Sequence, residues 1–246
     1  MTGPFLGFLL LAAPVSAPSP VERGDQEFAR INYELAETIY DSILAASGDS
    51  PDVLWRLARV NVCMADVSAE EKKLALYRQA ESFARRCILA DSMRSEGHTW
   101  RAAALGNIAM SAGSQTKVEL CQLIKKELDC SISLNRTDDI AFSILGSFYR
   151  ALGNVSWVER QLAAVFLGSL PDGGYEEAEQ ALKTAVALAP GIIRHHYELG
   201  ELYLDQDRED EALREFQLVV TLPVLLASDE RTRQFAARSI ESLSSK

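Results

Sequence analysis

Residues 175–190 read YEEAEQALKTAVALAP, and residues 209–223 read EDEALREFQLVVTLP. In the first stretch Ala178, Leu182 and Ala185 stand at i, i+4 and i+7, one face of an α-helix, and Pro190 ends the pattern. Thirty-four residues on, Ala212, Phe216 and Val219 hold the same places, and Pro223 follows. Between them lies HHYELGELYLDQDRED (195–210), whose Leu199-Gly200 and Tyr203 share one helix. Two helices that cross closely need a small residue on each side, here Gly200 with Ala178 or Ala212, and a large one to fill the space beside it, here Tyr203 and Phe216. The spacing therefore predicts an all-α array of antiparallel helix pairs.

A 34-residue helix–turn–helix with this order of small residue, aromatic and proline resembles a tetratricopeptide repeat. Leu145-Gly146 and Tyr149 reproduce Leu199-Gly200 and Tyr203, but the matching second helix begins at Tyr175, about 20 residues later than a plain repeat places it. The extra segment, RALGNVSWVERQLAAVFLGSLPDGG, has a helical apolar pattern and predicts an inserted helix. Before it, WRAAALGNIAM pairs with VELCQLIKKELDCSISL, and VLWRLARVNVCM with EEKKLALYRQAESFARRCIL, where Ser68 and Glu71 have capping-box spacing. The opening EFARINYELAETIYDSILAAS reads as one helix ending near Gly48, and SDERTRQFAARSIESL as a helix capping the end of the array. The domain reading is a tetratricopeptide-repeat-like superhelical array over residues 25–246, after a linker at 18–24.

Residues 1–17 differ from the rest: they are uncharged, apolar from Phe5 to Val15, and end in Val15-Ser16-Ala17, a small-residue cleavage pattern. They read as a signal peptide, which places the domain in a periplasmic or other extracytoplasmic space. The alternative is a short uncleaved N-terminal anchor on a cytoplasmic or membrane-associated protein, because about 20 apolar residues are needed to span a bilayer. The net charge of -10, without a Lys/Arg-rich run, argues against nucleic acid as a partner and against adhesion to anionic lipid. Any membrane association would run through the N-terminal segment alone. Four cysteines, Cys63, Cys87, Cys121 and Cys130, read as small buried apolar groups. Cys121 and Cys130 share one helix at a separation of about 13 Å, too far for a disulfide.

The combination of WRLARV, SAEEKK, TWRAAALGNIA, SWVERQLAAVFLGSLPDGGYEEA and HHYELG resembles the regulator of microtubule dynamics family of repeat proteins. The likeness covers roughly residues 50 to 245, and its most specific piece joins Trp157–Arg160 to Gly168–Pro171 and Glu176-Glu177-Ala178. The resemblance implies an all-helical interaction module; animal members are associated with microtubules or mitochondrial membranes. The signal-like start is similar to that of an exported bacterial relative.

The first helix of each unit is expected to line a concave face. That face would present Trp55 and Arg59, then Thr99 and Ala103, then Ser143, Ser147 and Arg150, and finally Arg194, Tyr197 and Glu201. Of these, Trp55, Arg59, Arg150, Arg194, Tyr197 and Glu201 are the candidate partner-binding residues, because arginines among aromatics suit an extended peptide bearing a carboxylate. His195 and His196 point about 100° apart on a helix and cannot chelate one ion, and His98 stands alone, so no metal site is expected. No nucleophile elbow, P-loop or zinc motif is present. The expectation is therefore a non-enzyme with no cofactor and no small-molecule substrate: a protein-interaction scaffold or, alternatively, a structural subunit of a larger envelope or cytoskeleton-associated assembly. Glu159 and Arg160 are expected to form an ion pair anchoring the inserted helix. If residues 1–17 are a leader, N-terminal sequencing of the natively expressed protein returns Pro18; a Met1 or Thr2 terminus would leave the anchor reading.

Overall fold

The computed structural model describes residues 17–245; the signal-like segment lies outside the described residues, save for its last residue. Twelve helices and no strand occur among them: α1 (Pro20–Ala29), α2 (Tyr33–Ser47), α3 (Pro51–Val67), α4 (Glu70–Ala90), α5 (Ser95–Met110), α6 (Ser114–Leu134), α7 (Asp139–Gly153), α8 (Trp157–Phe166), α9 (Tyr175–Leu188), α10 (Ile193–Asp205), α11 (Glu209–Thr221) and α12 (Asp229–Ser244). Helix pairs α3/α4, α5/α6, α7/α9 and α10/α11 are the repeat units. Their first helices touch in succession, α3 on α5, α5 on α7 and α7 on α10, and so form one continuous face of the array.

The close crossings are where the small residues predict them. A Cβ on Gly200 would lie 2.6 Å from the Phe216 ring, and one on Gly146 would collide with the Leu182 side chain. Leu182 and Phe216 are fully buried, and they are the repeat-equivalent residues that sit 34 positions apart. The insertion leaves this crossing intact: α7 packs directly on α9, while α8 loops out with Val158 and Val165 exposed.

Several expectations are corrected. The opening segment is two helices, not one: after α1 the backbone turns at Ile31, with φ 64°, and the Asn32 side-chain amide donates to Glu27 at 2.7 Å. No glycine or proline marks that turn, so apolar periodicity runs through it unbroken. Helix α1 also begins at Pro20, inside the segment read as a linker, behind a Ser19/Glu22 capping box. At Ser68 the expected capping box is missing; Ala69 is the N-cap of α4, and the Ser68 hydroxyl donates back to the Met64 carbonyl at 2.8 Å. With so short a link between the helices, Ser68 serves the end of α3 rather than the start of α4. Finally, Glu159 and Arg160 do not anchor α8 by pairing. Glu159 closes a capping box with Ser156, and Arg160 donates to the carbonyls of Leu152 (2.6 Å) and Gly173 (2.9 Å).

The last unit is tied back to the first. Between α11 and α12 the chain carries Leu226 and Ala227 onto the core formed by α2 to α5. There the Ala227 N–H donates to the Tyr33 hydroxyl at 3.0 Å, and Arg231 donates to the Asp66 carbonyl at 2.7 Å. The Asp229 carboxylate shapes this strap by accepting from the N–H groups of Leu225 and Leu226. The expected C-terminal helix α12 buries Ala236 against the last unit.

Gly200→Leu is expected to overpack the α10/α11 crossing and to cost about 1–3 kcal/mol or more. Urea unfolding measures it; an unchanged midpoint would mean that α10 and α11 do not meet at Gly200.

Candidate functional site

The face formed by the first helices has two chemically distinct ends. At the first, α3 presents Trp55 and Arg59. The Arg59 guanidinium lies 3.8 Å from the Phe28 ring and 5.0 Å from the Trp55 ring, and its Nη2 donates to Asp25 at 3.0 Å. Arg56 sits 4.3 Å over Trp55 and donates to the same carboxylate at 2.9 Å. Burial opposes the Asp25 charge, but hydrogen bonds from Arg56 and Tyr40 outweigh it and hold that carboxyl below its ordinary pKa. Asp25 comes from α1, a helix that the apolar pattern does not separate from α2. Beside these residues a cleft of about 230 Å³ opens where α3, α5 and the start of α7 converge, lined in part by Trp100, Glu96, Asp138 and Asp139. The Trp55 Nε1 and Arg59 Nε donors are buried and have no acceptor.

At the other end Arg150 of α7 reaches three carboxylates of α10: Asp205 at 2.9 Å, Glu198 at 3.3 Å and Glu201 at 3.6 Å. Burial pushes the Glu201 carboxyl above its ordinary pKa, opposed by Arg150 and reinforced by Glu198 and Asp205. Burial and the same two glutamates push the Tyr197 phenol up to about 12; its ring packs 5.8 Å from that of Phe216. Arg194 is exposed, with its nearest carboxylate at Asp66, 3.9 Å away.

The expected lining is thus divided. Arg150, Tyr197 and Glu201 are gathered on the α7/α10 wall, Trp55 and Arg59 stand together on α3, and Arg194 faces Asp66 at the C-terminal end of α3. Ala103 and Ser143 are buried in helix packing rather than presented to the groove. Thr99 reaches the cleft, but its hydroxyl is engaged with Ser131 and Asp138, each at 2.6 Å. The expectation of arginines free to grip a carboxylate is also corrected, because Arg150 and Arg59 already hold carboxylates of this chain. Glu198 and Asp205 are residues of this candidate site that sequence reasoning missed, although with Glu201 they fall at i, i+3 and i+7, one face of α10.

The histidines have structural work. His98 and His196 are both the fourth residue of a first helix. Each uses Nδ1 toward a glutamate of its second helix, Glu127 at 2.5 Å and Glu215 at 2.7 Å, and each uses Nε2 toward the carbonyl six residues back. His195 pairs with Asp139 at 2.7 Å. No group of three His, Cys, Asp or Glu able to hold a metal occurs among the described residues. All four cysteines are free; burial pushes the thiols of Cys63 and Cys87 up to about 12.

A family model for Regulator of microtubule dynamics protein 1-3 matches residues 21–244, from the second residue of α1 to the end of α12. The chain belongs to that family. Regulator of microtubule dynamics protein 2 of Homo sapiens is 25% identical over 197 residues, covering 79% of this chain and 48% of that protein. Regulator of microtubule dynamics protein 1 of Mus musculus is 28% identical over 211 residues, covering 81% and 69%. The chain therefore spans about half the length of the human relative it matches. A solved structure of a thermophilic tetratricopeptide-repeat protein from Thermus thermophilus superposes with a TM-score of 0.66 at 22% identity, covering 90% of this chain and 97% of that one, which establishes the shared fold. Among the described residues, no helix of this family member is long and apolar enough to cross a membrane.

The histidine pairs make stability depend on pH. The hydrogen bond to Glu127 raises the His98 pKa against the effect of burial. At His196 burial is the largest influence and lowers the value, but Glu215 and the Pro190 carbonyl together outweigh it, so this pKa too is raised. Groups whose pKa rises on folding stabilise fully below the unfolded histidine value of about 6.5 and lose that contribution as pH climbs through the folded value. Glu127, held below its ordinary value by His98 and Arg101 despite burial, loses its contribution on the acid side instead. The melting temperature is expected to fall as pH rises above about 6.5, and less steeply in His98→Gln/His196→Gln. Parallel profiles for the two proteins would show that these imidazoles are not charged in the fold.

Proposed function

We propose that this chain is a protein-interaction scaffold that holds an extended segment of a protein partner along its concave face, the face that carries Trp55, Arg59, Arg150, Arg194, Tyr197 and Glu201. The observation that carries the reading is the acidic balance of the α7/α10 wall, where one guanidinium faces three carboxylates. A partner segment bearing lysine or arginine complements that wall, whereas an acidic one meets charge of its own sign. The strap from α11 to α12 favours an extended segment over a folded domain, because it joins the two ends of the array. Binding rather than catalysis suits the side chains present, since each histidine is committed to a carboxylate of this chain. Residues 1–17 are proposed as a leader that sends the domain out of the cytoplasm.

The test is affinity capture with the mature domain, followed by calorimetry against the captured partner. Glu198→Gln with Glu201→Gln is expected to weaken binding at least about tenfold, since a charge-assisted contact is worth about 1.5–3 kcal/mol. Folding should change little, because Asp205, the carboxylate nearest Arg150 at 2.9 Å, keeps that guanidinium paired. Arg194→Ala is expected to tighten binding by freeing Asp66. Weaker binding in Arg194→Ala, with the glutamine variants unaffected, would mean that the partner segment is acidic.

A further inference from the structure

The cleft at the α3 end is more than a continuation of the groove. Three carboxylates line it, Glu96, Asp138 and Asp139, against one guanidinium, Arg59, which is already matched by Asp25. Its walls include the indoles of Trp55 and Trp100 and the exposed side chain of Ile140. The Trp55 Nε1 and Arg59 Nε atoms of these lining residues are covered by the protein and do not open into the cleft.

We propose that this cleft is the anchoring subsite for a single lysine or arginine side chain of the partner segment. The inference rests on the groove being the partner-binding face. Each part of such a residue has a counterpart in the cleft. Its apolar stem lies along the indoles and Ile140, as long cationic side chains do on apolar surfaces. Its charged head is drawn to aromatic faces and carboxylates together. Asp138 and Asp139 are each bonded within the chain, Asp138 to Thr99 and the Ala141 N–H and Asp139 to His195, yet a carboxylate has about four acceptor positions and can take further donors. Glu96 is the least committed of the three: a serine hydroxyl at 3.3 Å and Arg94 at 4.0 Å are its neighbours. A glutamate or aspartate would bring a fourth carboxylate into the cleft. A neutral side chain of the same length would fill it but gain nothing from the three already there.

The test uses the full chain labelled with nitrogen-15 and reads the indole N–H resonances of Trp55, Trp100 and Trp157, assigned through single Trp→Phe variants. N-acetyl-arginine amide and N-acetyl-lysine amide are the probes, N-acetyl-norleucine amide the neutral isostere and N-acetyl-glutamate amide the acidic counterpart. The expected result is saturable movement of the Trp55 and Trp100 signals at millimolar arginine or lysine probe, with at least about tenfold weaker response to norleucine and none to glutamate. Glu96→Gln should weaken the cationic probes at least about threefold, and salt near 1 M should weaken them further, because a partly exposed ion pair is screened. Equal response to norleucine and arginine, movement of Trp157 alone, or indoles that stay still would overturn the subsite. Still indoles together with loss of partner capture in the Glu198/Glu201 variant would overturn the subsite and leave the groove reading standing.

Discussion

The closeness of the two helices within each unit is the constraint on which the rest of the molecule depends. At Gly200 and Gly146 the first helix offers no side chain, so Phe216 and Leu182 of the second helix press against its backbone. That contact sets the distance within the unit, and hence which face of the first helix is left to turn inward. It also explains how the chain tolerates a long insertion between α7 and α9. The crossing is made by residues on either side of the insert, and Arg160 secures the extra helix by bonding to the backbone carbonyls of Leu152 and Gly173 where it leaves and rejoins the repeat.

Electrostatics in this fold is largely internal. The cations of the inner face are held by carboxylates of the chain itself, Arg59 by Asp25 and Arg150 by Glu198, Glu201 and Asp205. What an incoming segment meets is therefore the charge left over from that pairing, and on the α7/α10 wall it is negative. The same economy appears between the helices of a unit. His98 with Glu127 and His196 with Glu215 repeat one geometry, in which a buried imidazole spans from the loop before its own helix to the second helix. Such a pair fastens the start of the first helix to its partner at the end opposite the tight turn.

Repeat arrays are ordinarily stabilised by contacts between neighbouring units alone. Here Tyr33 and Ala227 meet across 194 residues of sequence, and Arg231 meets Asp66 across 165. Leu226 and Ala227 add apolar burial to the first unit's core. The first and last units thus share a boundary.

The helical repeat is written in the residue order. The small-and-large spacing at Ala178, Leu182, Gly200, Ala212 and Phe216 has one economical packing, and periodicity reports it because each helix must bury one face. The likeness to the regulator of microtubule dynamics family was legible for the same reason. The turn at Ile31 was not: both halves are helical, and the break is made by a left-handed residue that carries no glycine or proline signal. Nor could residue types alone assign the state of the groove. Register places Trp55, Arg150, Tyr197 and Glu201 on the first helices of their units, but whether an arginine is free depends on carboxylates brought beside it from elsewhere. Asp25 lies 34 residues from Arg59, and Glu198 lies 48 from Arg150. Such pairings are settled by the packing of whole helices, because Coulomb attraction acts through space and periodicity only along the helix on which it is read.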